Sequence, residues 1–319
     1  MNIDEIMSDR KKIAKAISEV ENGNTLIATE ALRRIRGIDV IGVTGVPGSG
    51  KSTLISKIAY KMAKEGKKIA IIGIDPTSPF SGGAVLGDRI RMKELNRFDN
   101  VFIRSISTGG KLGGMSYHTP DVINILDAAG FDLIFLETVG TGQDEVDVMN
   151  IATTIMVVLV PTLGDEVQVI KAGQLEIGDI FVVNKADQGA ADEKIKEMTL
   201  ILKERKDGWI PKIMKSVAVT NQGIDEIIRA LDEHKNFIIE KGIKNKKIME
   251  RMLYTIKQYA LERIENIMYN ENIEKYINQI KDGKDISRII DEIMLEMGVN
   301  YGKGREIYRK VEGMGGEGP

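Results

Sequence analysis

Cysteine is absent from the 319 residues, so the chain can build neither a disulfide nor a thiolate metal site, which suits a reducing cytosol. Histidine is scarce: His118 and His234 stand far apart, and no transition-metal cluster is expected from two separated imidazoles. Neither sign of charge prevails. The 45 Lys and Arg against 47 Asp and Glu leave a formal net charge of −2, which provides no global field for nucleic acid or a membrane surface. Long apolar runs are missing as well. The longest, Ile155 to Val160, is too short to cross a bilayer, and Met1-Asn2-Ile3-Asp4-Glu5 has no signal-peptide pattern. Together these features lead to an expected cytoplasmic location, with neither nucleic acid nor membrane as a partner.

Glycine, by contrast, is plentiful at 33 residues, and it marks the most informative segment. Gly45, Val46, Pro47, Gly48, Ser49, Gly50, Lys51 and Ser52, followed by Thr53, fit the phosphate-cradling pattern G-x-x-x-x-G-K-[ST]. Such a loop turns successive N–H groups toward phosphate oxygens at the positive end of the following helix. The flanks suit it: Val40 to Thr44 reads as a buried strand, and Leu54, Ile55, Ile58, Ala59, Met62 and Ala63 recur at helical spacing. Lys51 is expected on the β- and γ-phosphates and the Ser52 hydroxyl on Mg²⁺.

A second motif names the base. The apolar run Ile180 to Val183 delivers Asn184-Lys185-Ala186-Asp187. By itself this would pass for a turn after a strand. With the P-loop upstream it predicts guanine, because the Asp187 carboxylate can accept from both the ring N–H and the 2-amino group. Adenine has neither, and would leave the carboxylate unpaired. Asn184 would tie the loop and the base together, and the Lys185 stem would cover one face of the ring. GTP and GDP are therefore the expected ligands.

Strands are predicted near 39–44, 68–75, 101–106, 132–137, 154–160, 180–184 and 213–218, with helical segments between them. That alternation predicts an α/β fold, a doubly wound and mostly parallel sheet with its ligand at the strands' carboxyl ends. Three regions are expected: an N-terminal helical arm over 1–37, a GTPase core over 38–237 and a C-terminal helical region over 238–319. In the arm, Ile6, Ile13, Ala14 and Ile17 form one apolar stripe and Leu26, Ile27, Ala31 and Leu32 another. Residues 245–269 carry Ile248, Met252, Ile256, Tyr259, Ile264 and Ile267, a stripe suited to packing on the core or to dimerisation. His234 reads as part of a charged helix face, and His118 precedes a helix start at Thr119-Pro120.

Three carboxylates fall where strands or loops approach the phosphates: Asp75, Asp88 and Glu137. A carboxylate facing a triphosphate is repelled unless a cation lies between, so all three are candidate Mg²⁺-side groups; a helix cap is the alternative for Asp75 and Asp88. Glu137 opens Glu137-Thr138-Val139-Gly140-Thr141-Gly142-Gln143, which has the logic of a γ-phosphate sensor: an acid on the metal side, then Gly140 offering its N–H. Gln143 is a candidate for orienting water, two residues beyond the glutamine of Ras-like proteins. Arg89, Arg91, Lys111 and Lys171 are candidate transition-state cations, with ordinary surface charge as the alternative.

At Asp75-Pro76-Thr77-Ser78-Pro79-Phe80-Ser81-Gly82-Gly83, Leu86-Gly87-Asp88-Arg89-Ile90-Arg91-Met92 and Glu137-Thr138-Val139-Gly140 the chain closely resembles the MeaB family of P-loop GTPases, also known as ArgK or LAO/AO transport system kinases. The resemblance extends over nearly the whole chain. It implies a GTPase chaperone for an adenosylcobalamin-dependent acyl-CoA mutase, chiefly methylmalonyl-CoA mutase, and a homodimer through the C-terminal helices. It also implies that Asp75, Asp88 and Glu137 are metal-side carboxylates of the switch regions, and that residues 162–171 form an additional switch with Lys171 as its notable cation. Val217-Ala218-Val219 then fall in the guanine-carbonyl loop, where Val217-Ala218 replaces the usual Ser-Ala and the Ala218 N–H can still serve. Gly109-Gly110-Lys111 stands where the family usually has Arg-Gly-His. Two other functions share parts of this pattern. A kinase acting on periplasmic amino-acid-binding proteins lacks a kinase catalytic loop here, and a metal-insertion GTPase for hydrogenase or urease lacks a Cys/His cluster.

Overall fold

In a computed structural model, the described residues are 9–75, 92–107, 118–138, 148, 150–161, 172–271 and 273–296. Two helices come first, α1 (Arg10–Glu21) and α2 (Thr25–Leu32). Asp9 caps α1, its carboxylate accepting from the N–H groups of Lys11 and Lys12. There follow β1 (Asp39–Thr44), α3 (Lys51–Lys64), β2 (Ile69–Asp75), β3 (Val101–Ser107), α4 (Thr119–Ala128), β4 (Leu133–Glu137) and β5 (Thr154–Leu159). The core closes with α5 (Ala172–Ile177), β6 (Ile180–Val183), α6 (Ala191–Ile201), β7 (Lys212–Lys215) and α7 (Ile224–Glu240).

All seven strands run parallel in one sheet of order β3-β2-β4-β1-β5-β6-β7. Strands β1, β4, β5 and β6 are buried along their whole length, as their unbroken apolar runs require of strands covered on both faces. The expected doubly wound sheet is thus present. The order reverses beside β1, which places the P-loop at the crevice where such sheets bind ligands. The predicted strand at 213–218 is shorter, because the chain leaves the sheet after Lys215 and makes a 3₁₀ turn at Ala218–Thr220.

The arm lies on α4, with Ile13, Ala16, Ile17 and Val20 of α1 buried. Ile6 lies outside the described residues. Leu26 does not join the expected stripe: it is 80% exposed, and Ala28 is buried with Ile27 and Ala31 instead. The helix starts only at Thr25, with Asn24 accepting from the Leu26 N–H, so Leu26 sits in the outward-facing first turn.

His234 also differs from expectation. Its neighbour Glu233 is exposed and Lys235 half-exposed, but His234 itself is buried on the α7 stripe formed by Ile227, Ala230, Leu231 and Ile238. Its Nδ1 is hydrogen-bonded to Thr154 Oγ1 at 2.8 Å, Nε2 lies 3.5 Å from Asp179 Oδ1, and the ring meets Trp209 edge to face. Alternating charge in the sequence hid an inward position at i+3 from Leu231.

The chain divides into two units, residues 1–258 and 259–319. Helix α8 (Ile243–Glu271) begins in the first. There the expected apolar stripe turns inward only in part: Ile248 and Met252 are half-buried, but Ile256 is 63% exposed, together with Met249 and Leu253, whereas Arg251, Thr255 and Gln258 are buried. Electrostatics set this orientation. Lys244 Nζ reaches Asp39 at 2.5 Å, Lys247 Nζ donates to the Thr153 carbonyl at 2.8 Å, and Arg251 reaches Asp127 at 3.5 Å, all on one helix face. In the second unit, α9 (Ile273–Lys281) and α10 (Ile286–Glu296) share a small core of Tyr276, Ile289 and Ile293.

Burial lowers the His234 pKa below its ordinary value, with Asp179 and Asp207 opposing the shift and Lys247 and Arg205 adding to it. The unfolded chain takes up this proton below about pH 6.5 while the folded chain resists it. Stability from this group is therefore fully present above that pH and is lost as pH falls toward the folded pKa. Thermal midpoints measured from pH 8 to 5 should decline more steeply for the wild type than for His234→Gln; parallel curves would show that His234 is not the source.

Candidate nucleotide-binding site

The P-loop, residues 45–50, leaves the carboxyl end of β1 and enters α3 at Lys51. Two of its glycines are required sterically. Gly45 has φ 140° and a Cβ there would run into the Val158 carbonyl oxygen; Gly50 has φ 91° and a Cβ would strike the Asn184 amide. Lys51 is buried, and its Nζ donates to the carbonyls of Gly45 at 2.8 Å and Val46 at 3.3 Å, so the lysine holds the loop that surrounds it. Pro47 and Gly48 form the exposed crest, Ser49 is buried, and Ser52 and Thr53 occupy the first turn of α3.

Glu137 ends β4, the strand beside β1, in register with Val43. Ser52 Oγ donates to its Oε1 at 2.6 Å. A hydroxyl and a carboxylate meeting at the mouth of a phosphate loop are hard oxygen donors of the kind Mg²⁺ takes. Thr138 follows, anchored by its N–H to the Val43 carbonyl at 3.1 Å, which fixes where the next segment departs.

The base loop is joined to the P-loop through one side chain. Asn184 Nδ2 donates to the Ser49 carbonyl at 2.8 Å, while its Oδ1 accepts from Ser216 Oγ at 3.0 Å and from the Ala218 N–H at 3.2 Å. In this arrangement the Ala218 N–H, expected at the guanine carbonyl, is given to Asn184. Lys185 takes a left-handed φ of 57°, and the Ala186 N–H bonds to the Ser216 carbonyl, turning Asp187 outward to solvent. Val217 pairs with Gln222 across the neighbouring turn, and the Val219 side chain is 72% exposed.

P-loop, Ser52, Glu137, Asn184 and the 216–219 loop are thus brought together at one end of the sheet. The side chain of Asp75, and Asp88, Gly140, Gln143 and Lys171, lie outside the described residues, as do Arg89, Arg91 and Lys111. Among the described residues no group of three or more His, Asp or Glu is placed to hold a metal by itself. Ser216 was not singled out in the sequence; its only signal is a hydroxyl at the end of an apolar strand pattern, facing a loop that the motif places next to it. Cavities of about 290 and 470 Å³ lie elsewhere, one at the amino-terminal edge of β1, β4 and β5 and the other beside α3.

Known proteins share this arrangement of sequence and fold. A family model described as methylmalonyl-CoA mutase-associated GTPase MeaB matches residues 13–272. A Pyrococcus horikoshii relative bearing a GTPase name is 44% identical over 282 residues, 86% of this chain and 87% of that one. GTPase ArgK of Escherichia coli is 34% identical over 246 residues, covering 75% of this chain and 74% of its own length. A Caenorhabditis elegans protein named methylmalonic aciduria type A homolog, mitochondrial, is 32% identical over 267 residues, covering 80% and 67%. The crystal structure of a LAO/AO transport system kinase superposes with a TM-score of 0.68 at 24% identity, covering 93% of this chain and 96% of that one, which supports the fold.

Two substitutions test the two halves of the site. Lys51→Ala should weaken GTP binding at least about 100-fold, since it removes a charge-assisted phosphate contact and frees the loop it holds; unchanged affinity in a titration would remove the P-loop assignment. Asp187→Asn should move preference from GTP to xanthosine triphosphate, because a 2-oxo group needs a donor. Retained guanine selectivity in competition binding would show that Asp187 does not read the base.

Proposed function

Since the chain belongs to the MeaB family of methylmalonyl-CoA mutase-associated GTPases and is itself a GTPase, we propose that it is a Mg²⁺-dependent switch. Its nucleotide state would gate adenosylcobalamin loading into a cobalamin-dependent acyl-CoA mutase and protect that enzyme from inactivation. The observation that carries the reading is the Ser52–Glu137 contact at the phosphate loop, 2.6 Å long. It supports a metal-side role for the first residue of the segment 137–143, so that the same stretch of chain would answer to the γ-phosphate and present a changed surface to a partner.

In this reading Lys51 gives up its loop carbonyls for the β- and γ-phosphates, and Ser52, Asp75, Asp88 and Glu137 hold the cation directly or through water. Mg²⁺, when bound there, would supply neutralisation of the triphosphate's charge. The Gly140 N–H meets the γ-phosphate, Gln143 orients water, and Lys171, in the segment 162–171, supplies the transition-state cation when the partner completes the site. Asn184, Lys185 and Asp187 hold the base, with the backbone of Val217, Ala218 and Val219 at its carbonyl edge. The exposed stripe of Met249, Leu253 and Ile256 supports a homodimer formed through the C-terminal helical region.

The purified protein should hydrolyse GTP slowly and do so at least about 10-fold faster with a cobalamin-dependent mutase added, because a partner that completes the charge stabilisation accelerates such switches by orders of magnitude. Fast intrinsic hydrolysis that no mutase alters would overturn the proposal. Sedimentation should show a dimer that Leu253→Glu dissociates; a monomeric wild type would remove the dimer from the account.

A further inference from the structure

Three parts of the chain meet at the buried carboxylate of Asp127, near the end of α4. Oδ1 accepts from the Arg36 N–H at 3.0 Å, and Oδ2 accepts from those of Gly37 at 3.0 Å and Ile38 at 3.1 Å. These successive amides, in the linker from the arm to β1, form a concavity around the anion. Arg251 of α8, 1% exposed, places Nη2 at 3.5 Å from Oδ2. Helix α8 also presses on the linker: a Cβ at Gly37 would meet the Ile248 side chain.

The cation in this cluster is poorly served. Nε, Nη1 and Nη2 of Arg251 have no hydrogen-bond partner among the described residues. Asn124 stands three residues before Asp127, fully buried, and both its amide nitrogen and its carbonyl oxygen are likewise unpartnered among the described residues. Residues three apart on a helix adjoin on one face, within the sweep of an arginine side chain. Orphaned buried polar groups are rare and call for an explanation. Here orphan donors stand one helical turn from an orphan acceptor.

We propose that Arg251 is a two-position latch on α4: its guanidinium holds Asp127 in the arrangement seen and shifts to the Asn124 carboxamide oxygen in a second. In the second arrangement the Asp127 carboxylate loses its ion pair, Arg36 Nε remaining on the Asp127 backbone carbonyl at 3.3 Å, and a buried carboxylate without a paired cation draws in water. The linker amides that Asp127 gathers are then released along with the α8 contact. Helix α4 is suited to drive the change. It starts at Thr119 on the side of the sheet that bears the P-loop, and its last turn reaches the amino-terminal start of β1. A small displacement at one end therefore reaches the arm and α8 at the other. Nucleotide control of the latch rests on the GTP-switch reading above.

Hydrogen exchange on the full-length protein tests the latch, read at residues 36–38, at 243–258 and, as a global control, at β1. Asn124→Asp adds a carboxylate at the second position and should raise exchange at residues 36–38 at least about tenfold while β1 stays protected. Asn124→Leu removes that position. It should keep residues 36–38 protected and abolish any difference there between GDP and a non-hydrolysable GTP analogue. Unchanged exchange in Asn124→Asp overturns the proposal, as does a nucleotide-dependent difference that survives in Asn124→Leu. If Asn124→Asp raises exchange at β1 as well, the decision passes to Asn124→Leu. Nucleotide affinity measured on the same samples separates the two readings: failure to bind GTP counts against the site, whereas binding without these exchange changes counts against the latch.

Discussion

The carboxamide of Asn184 is the joint on which the site depends. Two loops that arise from different strands, one proposed to grip phosphates and the other to read a base, can serve one nucleotide only if the distance between them is fixed. Asn184 fixes it by donating to Ser49 on the phosphate side and accepting from Ser216 and Ala218 on the base side. All three contacts are made in the interior, where a hydrogen bond is stronger and an unmet partner costs about 1–3 kcal/mol. Gly50 has no side chain because that amide occupies the space where one would stand.

The sheet supplies the rest of the geometry. With β1 central between β4 and β5, the P-loop and Glu137 emerge at the same height, and the Ser52 hydroxyl reaches the carboxylate without distortion. At the opposite edge the strands begin in a layer of charge. Asp39 is held by Lys235 and Lys244, Asp179 by Arg205, and Asp127 by the linker amides and Arg251. Binding chemistry is thus gathered at one end of the strands, and the fastening of the surrounding helices at the other.

Much of this was legible in the sequence because it is local. Val40 to Thr44 and Ile180 to Val183 are apolar on both faces and can only be interior strands, and each ends in a motif whose residue types follow from phosphate or guanine chemistry. What stayed hidden depends on which face a neighbour covers. His234 lies between Glu233 and Lys235 and looks solvated, yet α7 turns it toward Asp179. The stripe of Ile248, Met252 and Ile256 suggests the inner face of α8, yet the cations at 244, 247 and 251 find carboxylate and carbonyl partners and take much of that face, leaving Ile248 and Met252 half-buried and Ile256 exposed. Ser216 and the amides around Asp127 carry no pattern at all, since their partners are about 30 and 90 residues away in the chain.

The central claim is that guanine recognition and phosphate binding are one site because Asn184 joins them. Equilibrium titration of the wild type and Asn184→Ala with GTP and with ATP tests it directly. The account predicts that the wild type prefers GTP strongly, and that Asn184→Ala loses about 2–3 kcal/mol of GTP affinity, roughly 30- to 150-fold, while its weak ATP binding is unchanged. A variant that binds GTP as tightly as the wild type, or a wild type that binds ATP equally well, would contradict it.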